Sequence, residues 1–541
     1  MQNDISSVMI FMKVLSCKQL QIYKGDLRFP ALSRSHRCQG NYINLDAGEI
    51  FMTLQNKVQL ITYPDSLGGD LKRLSHVLDQ YFPNTFEGGI HILPPFPSSG
   101  DRGFAPLTYL EIEPNFGSWE DIKKIGEEYP VLLDLIINHI SSKSSYFQDY
   151  LHNGSNSAYA DLFIPIEKYW PDRNPTREEI DRIFLRRQNP FSDYSILETR
   201  EIKTLWTTFG KTTPSEQVDI DVESKVAREL ITDCLSNFRK NNVKIVRLDA
   251  VGYVIKKIGT SCFFVEPEIY EFLDWLKGIA DSLDIELLPE LHTDFSSQLR
   301  LSEKGFWIYD FILPYMVLEA LISKNSKNLK DYLAIRPHRQ FTMLDCHDGI
   351  PVKPDLDGLL EIESAKNLVQ TCLQRGGNLS RIFSPNFKDQ DGFDVHQIRG
   401  TYYSMLGCDD KVYLIARALQ FFVPGIPQVY YVGLLAGKND EVDAATADGR
   451  EINRHNYSIG EIDQEAQRPV VRNLIKLIRF RNSHPAFNGS FNIYSCSNHE
   501  ISLGWNDKNH YARLHVDLQT NDLKIKYNDS ISNEEKILSL E

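Results

Sequence analysis

Three acidic residues close apolar, strand-like runs in this chain: Asp249 in VRLDAVGY, Glu290 in LLPELH and Asp348 in TMLDCHDG. Carboxyl groups make and break bonds in pairs, one as nucleophile or base and one as proton donor, when their surroundings push their acidities apart. Arg247 precedes Asp249 by two residues, and on a strand that spacing puts both side chains on one face. A guanidinium there holds a carboxylate ionised and aimed, as a nucleophile requires, although a purely structural ion pair has the same pattern. Glu290 is flanked by Leu287, Leu288, Pro289 and Leu291. Desolvation by that flank predicts a raised pKa and a carboxyl still protonated near neutrality, the state of a general acid. His347 beside Asp348 makes a pair able to hold adjacent hydroxyl groups, and His139, ending DLIINH, offers a further ring. No HxxxH or HxH spacing lies nearby and no dense Asp/Asn calcium loop occurs, so neither metal nor organic cofactor is expected.

Such acids meet only if the fold brings distant strand ends together. Eight apolar runs read as strands: 58–64, 88–96, 131–139, 244–251, 285–292, 307–314, 341–348 and 426–433. Helix-like segments such as SKVARELITDCLSNFRKNN alternate with them, which is an α/β pattern, and eight is the count of a (β/α)8 TIM barrel. The barrel is expected over 52–481, with inserted lobes at about 140–220 and 349–410, too long for ordinary barrel loops. After 482, the runs FNIYSC, ISLGW, YARLHVDL and LKIKYN predict a small C-terminal antiparallel β domain. Residues 1–51 read as a poorly ordered leader, with Met52 as a possible start. VMIFMKVL lacks the basic start and cleavage site of a signal peptide.

The formal net charge of −14 over 541 residues argues against a nucleic-acid partner. No uncharged apolar run reaches membrane-spanning length. The eight cysteines contain no CxxC pair and read as free thiols of a cytoplasmic protein.

The segments DLIINH, VRLDAVGY, ELLPELH and MLDCHD resemble the four signature strand ends of the α-amylase superfamily of glycoside hydrolases. SSGDRGFAPLTY, VRLDAVGYVIKKIGTSCF, LDCHDGI and GREINRHNY are similar, more narrowly, to its sucrose phosphorylase subfamily, over nearly all of 52 to about 480. The resemblance implies Asp249 as nucleophile, Glu290 as acid/base and Asp348 as transition-state stabiliser, with retention of the α-configuration through a covalent glucosyl-enzyme. It implies that Asp101 and Arg454 bind glucosyl hydroxyls and that Phe104 and Tyr253 wall the glucose subsite. By the same resemblance Arg247, His139, His292, His347 and Gln397 are expected in support of substrate binding. Phosphate must be captured against bulk water, and Arg186, Arg187, Asp394 and His396, from the two insertions, are the candidates. Members of the subfamily typically carry Tyr-Gln where this chain has His396-Gln397. A His beside an Arg, partly protonated, suits a second phosphoester and favours a sucrose 6'-phosphate donor over sucrose. The expected partners are the sugar and inorganic phosphate, for a monomer or homodimer. Phosphorolysis of glucosylglycerol or glucosylglycerate and plain hydrolysis remain alternatives.

Overall fold

The computed structural model describes residues 54–292, 294–352, 358–387, 393–440 and 449–540, so the leader expected at 1–51 and Met52 lie outside the described residues. Each of the eight runs supplies a parallel barrel strand: β1 (Gln59–Thr62), β2 (Gly89–Ile92), β3 (Val131–Ile136), β4 (Val243–Asp249), β5 (Glu286–Pro289), β6 (Ile308–Asp310), β7 (Gln340–Thr342) and β8 (Ile426–Tyr430). They are hydrogen-bonded in the order β6-β7-β8-β1-β2-β3-β4-β5, and β5 and β6 lie side by side to complete the ring. A helix follows each strand: α1 (Leu71–Tyr81), α2 (Trp119–Glu128), α3 (Lys225–Lys240), α4 (Glu268–Ser282), α5 (Phe295–Glu303), α6 (Leu313–Ser323), α7 (Asp410–Phe422) and α8 (Pro469–Ser483).

The strands are covered on both faces, which is why they read as largely apolar runs; β3 is buried at every position. Leu132, Ile245, Leu288, Trp307, Phe341 and Ile426, one from or beside each of six strands, join in a single cluster that fills the barrel. Helix α3 shows how the outer layer attaches. Ser224 caps it by accepting from the Ala227 N–H, and Ala227, Ile231, Cys234, Leu235 and Phe238 form its buried stripe.

Two long excursions leave the carboxyl ends of the strands. The first, between β3 and α3, carries the helix Ser145–Asn153, a hairpin of Phe191–Ser195 with Ile202–Trp206, and a strand Gln217–Asp219 paired with His139–Ser141. The second, between β7 and α7, carries the helix Ile362–Gln374 and a three-stranded antiparallel sheet of Ile350–Pro351, Val395–Arg399 and Asn378–Arg381. Beyond α8 a five-stranded antiparallel meander runs from Ser490 to Ile537, one short strand more than the four expected. The Trp505 indole N–H of that sheet donates to the Phe422 carbonyl at the end of α7, 2.7 Å away. Among the described residues no helix is long and apolar enough to cross a membrane.

Candidate active site

The three acids share one cavity of about 1220 Å³ at the carboxyl ends of the strands. In the parallel register of β3 with β4, Asp134 faces Arg247 and Ile136 faces Asp249. Arg247 Nη1 reaches Asp249 Oδ1 at 2.9 Å, and its Nη2 lies 3.4 Å from Glu290 Oε1. One guanidinium therefore spans two of the acids. Ala250 turns the chain into the left-handed region (φ 56°), and its N–H donates to Glu290 Oε2 at 3.0 Å. Non-glycine residues hold that conformation only under constraint, and here it ties the end of β4 to Glu290. Glu290, His292 and Asp348 each bring a side-chain N or O within 4.8 Å of the others. That spacing also suits a metal ion, but Arg247, Arg450 and the His292 N–H already face these carboxylates and a cation would meet like charge.

The expected acidities are corrected by the spatial neighbours. Burial pushes the Asp249 carboxyl well up against the pull of Arg247, with Glu290, Asp134 and Asp348 adding to the rise. Burial would also raise Glu290, but Arg247 and His292 outweigh it and hold the carboxyl down to about 2. The apolar flank of Glu290 does not decide its acidity, because its carboxylate points at a guanidinium and at the His292 N–H, 2.7 Å from Oε1. The neighbours thus push the acidities of the pair apart, with Asp249 the weaker acid in this arrangement. Partial burial would raise Asp348, yet His347, Arg450 and Arg454 hold it well below the usual carboxylate range. Burial takes the His347 ring down to about 3, so at neutral pH the two arginines are the cations that keep Asp348 ionised.

Around the acids, Phe104 stacks on His347 with ring centres 4.8 Å apart, and His139 Nε2 donates to the Phe104 carbonyl at 3.0 Å. Burial holds His139 neutral, consistent with that donation. Asp101 reaches the cavity because Asp101 and Arg102 both adopt left-handed conformations, followed by Gly103 (φ +106°), where a Cβ would lie 2.5 Å from the Pro94 carbonyl oxygen. Tyr253 also lines the cavity, edge-on to Phe209 at 5.0 Å. Arg450, absent from the expected set, bridges Asp101 Oδ1 (2.5 Å) and Asp348 Oδ1 (3.1 Å). Arg454, four residues later, does not line the cavity. It is buried behind it, its Nε donating to the His347 carbonyl and its Nη2 3.9 Å from Asp348. The GREINRH string carries both arginines, and nothing in their spacing told which one would face the cavity.

The outer end of the cavity forms where the two excursions touch. The Leu185 N–H donates to Ser384 Oγ at 2.5 Å, that hydroxyl donates to the Ile183 carbonyl, and Asn386 donates to the Asp181 carbonyl. This brings Arg186 Nη1 to His396 Nε2 at 2.7 Å. A guanidinium only donates, so Nε2 accepts and the His396 ring is uncharged in this arrangement, not partly protonated as expected. His292 links the two ends: it hydrogen-bonds Glu290 and its ring lies 6.2 Å from that of His396. Gln397 lines the same end. Arg187 lines it too, but Arg187 donates to the Thr212 carbonyl at 2.9 Å and the Phe209 carbonyl at 3.4 Å, pinning that loop. Asp394 is not part of the lining; its carboxylate pairs with Arg381. Lys143, Lys211, Arg381 and Arg399 add positive charge to the rim, a clustering that net composition hides.

A buried ammonium locks the first excursion to the barrel. Lys256 Nζ, on the loop after β4, meets Asp219 at 2.7 Å, Asn138 Oδ1 at 3.1 Å, Thr208 Oγ1 at 3.0 Å and the Tyr253 carbonyl at 2.5 Å. Both charged side chains are essentially inaccessible to solvent.

Comparison with known proteins places these features. The family model of the alpha amylase catalytic domain matches residues 40–300. The chain is 60% identical over 488 residues to the sucrose 6(F)-phosphate phosphorylase of Thermoanaerobacterium thermosaccharolyticum, covering 90% of this chain and the whole of that protein. It is 41% identical over 483 residues to the sucrose phosphorylase of Streptococcus mutans, covering 88% and 99%. The crystal structure of sucrose 6F-phosphate phosphorylase from Thermoanaerobacter thermosaccharolyticum superposes with a TM-score of 0.89 at 59% identity, covering 90% of this chain and 99% of that one.

Proposed function

Since the chain belongs to the α-amylase family and, within it, to the sucrose phosphorylases, we propose that it transfers a glucosyl group from sucrose 6'-phosphate to inorganic phosphate, releasing fructose 6-phosphate and α-D-glucose 1-phosphate. Asp249 is the nucleophile. Attack requires Asp249 ionised, so with the sugar seated the proton shared by the pair stands on Glu290. Asp249 then attacks the anomeric carbon as the bond to the fructosyl oxygen breaks, and Glu290 gives that oxygen its proton. The product is a β-glucosyl ester of Asp249. A phosphate oxygen attacks the same carbon, the ester bond breaks, Glu290 takes up the phosphate proton, and two inversions leave the α-configuration in place.

Asp348, kept ionised by Arg450 and Arg454, stabilises the positive charge that develops on the ring, and with His347 it holds ring hydroxyls. Asp101, Phe104, His139 and Tyr253 complete the glucose subsite, with Arg450 bridging Asp101 and Asp348 in its wall and Arg454 supporting Asp348 from behind.

The observation that carries the choice of donor is the Arg186–His396 contact one histidine ring beyond Glu290. A phosphoester inserted between them gains the Arg186 N–H and, once His396 takes a proton at Nε2, a second donor and a second cation. A cytoplasmic setting accords with the six described cysteines, all thiols. The test is product analysis with sucrose 6'-phosphate. Glucose 1-phosphate formed only when phosphate is supplied supports the reading, and free glucose released at the same rate without phosphate overturns it.

A further inference from the structure

Behind the acids lies a row of polar side chains that the bond chemistry leaves unused. Asp134 is fully buried in the middle of β3, in a strand otherwise apolar from end to end. Its Oδ2 takes a hydrogen bond from His91 Nε2 of β2 at 2.8 Å, and its Oδ1 pairs with Arg247 Nη1 of β4. The same Nη1 serves Asp249, and the other arm of the guanidinium faces Glu290. Three adjacent strands therefore aim one row, His91 to Asp134 to Arg247, at the acids. A buried carboxylate costs several kcal/mol to desolvate unless it is fully paired, so this one calls for an explanation.

Charge counting supplies it. Arg247 carries one positive charge. Without Asp134 the whole of that charge would act on the two acids, lower the pKa of both and favour loss of the proton the leaving oxygen needs. With Asp134 taking the charge of Arg247, the Asp249 and Glu290 pair keeps a single proton between them. The other groups facing the row are Tyr109, on the segment after β2 and bonded to Ile136 of β3, Tyr309 of β6, His292 after β5, which donates to Glu290, and Cys346, a thiol kept neutral by burial, with His347 and Asp348 after β7. Tyr109 and Tyr309 are held neutral by burial, His347 is neutral, and Asp348 is offset by Arg450 and Arg454. None of them replaces the charge of Asp134.

We infer that Asp134, anchored by His91, is a positioning residue that aims Arg247 at both acids and offsets its charge so that the pair retains the one proton the reaction needs. The inference rests on the glucosyl-transfer reading of the site and names two residues that touch no substrate. His91 is neutral because of its burial, so its Nε2–H donates to Asp134, and its Nδ1 makes no hydrogen bond. Its contact with the row is Asp134 alone.

The test compares D134N and H91Q with the unaltered enzyme in pH profiles of glucose 1-phosphate formation. Asn keeps the shape and an acceptor but loses the charge. Unbalanced, Arg247 draws the proton from the pair, so in D134N the basic limb of kcat/KM should move to lower pH by about one unit. A misaimed Arg247 should lower kcat about 100-fold while KM stays within a few-fold. H91Q, which keeps a donor on Asp134, should shift the same limb less, in the same direction. An unshifted limb in D134N, or a loss confined to KM, overturns the inference; should D134N fail to fold, an unshifted limb in H91Q overturns it. Formation of glucose 1-phosphate by the unaltered enzyme tests the underlying reading separately, in the same assay.

Discussion

The inner end of the cavity is made from strand termini, the outer end from two excursions that meet only in space, and their polar groups are held differently. Inside, Arg247 and His347 are nearly inaccessible, the three acids are only slightly exposed, and each is tied to at least one other. Outside, the contact between Arg186 and His396, residues 210 apart in the chain, sets the spacing of the donors, and Arg381 on the rim is largely exposed. A rigid inner end suits chemistry common to all glucosyl donors, where small misplacements are costly. An outer end built on loops lets the choice of leaving group change without disturbing that chemistry.

The contrast can be broken first at the inner end. Glu290→Gln should lower kcat on sucrose 6'-phosphate by roughly 10²–10⁴-fold. A donor whose leaving group needs no proton, such as glucosyl fluoride, should lose far less. Equal losses on both would remove Glu290 from the role of proton donor.

The seam between the two ends comes next. Lys256→Met leaves Asp219 buried without its cation, and breaking such a pair costs about 3–5 kcal/mol. Urea unfolding measures it, and a change within the error of the extrapolation would mean the excursion is held by other contacts. The smallest effect is at the rim. The positive residues lining the mouth of a chain with net charge −14 should draw in anionic substrates, so kcat/KM for the phosphorylated donor should fall a few-fold with rising salt. Sucrose, being uncharged, should show a flatter response, and parallel responses would assign the salt effect to inorganic phosphate.

Much of the inner end was legible from the chain alone. Strand-end acids follow a local rule: an apolar run, a carboxylate and a partner two residues away are visible without a structure, as in Arg247 and Asp249. The acidity of Glu290 was not legible, because its apolar flank is sequential while the guanidinium and imidazole that govern it come from elsewhere or from a turn of unknown direction. Arg450 and Arg454 exchanged places for a similar reason, since the irregular backbone after Gly449 follows no periodicity that would say which side chain faces the cavity. At the outer end the residue types were legible but their contact was not. Arg187 and Asp394 carried suitable charges, yet the loop carbonyls and Arg381 already engage them.

The division of labour is tested most directly by the ratio of kcat/KM for sucrose 6'-phosphate to that for sucrose, measured before and after Arg186→Ala with phosphate supplied. Losing one charge-assisted contact costs roughly 1.5–3 kcal/mol, so the ratio should drop about 10- to 150-fold while turnover of sucrose changes little. Equal losses on the two donors would place Arg186 in service of inorganic phosphate or of the inner end, and would contradict an outer end that selects the leaving group.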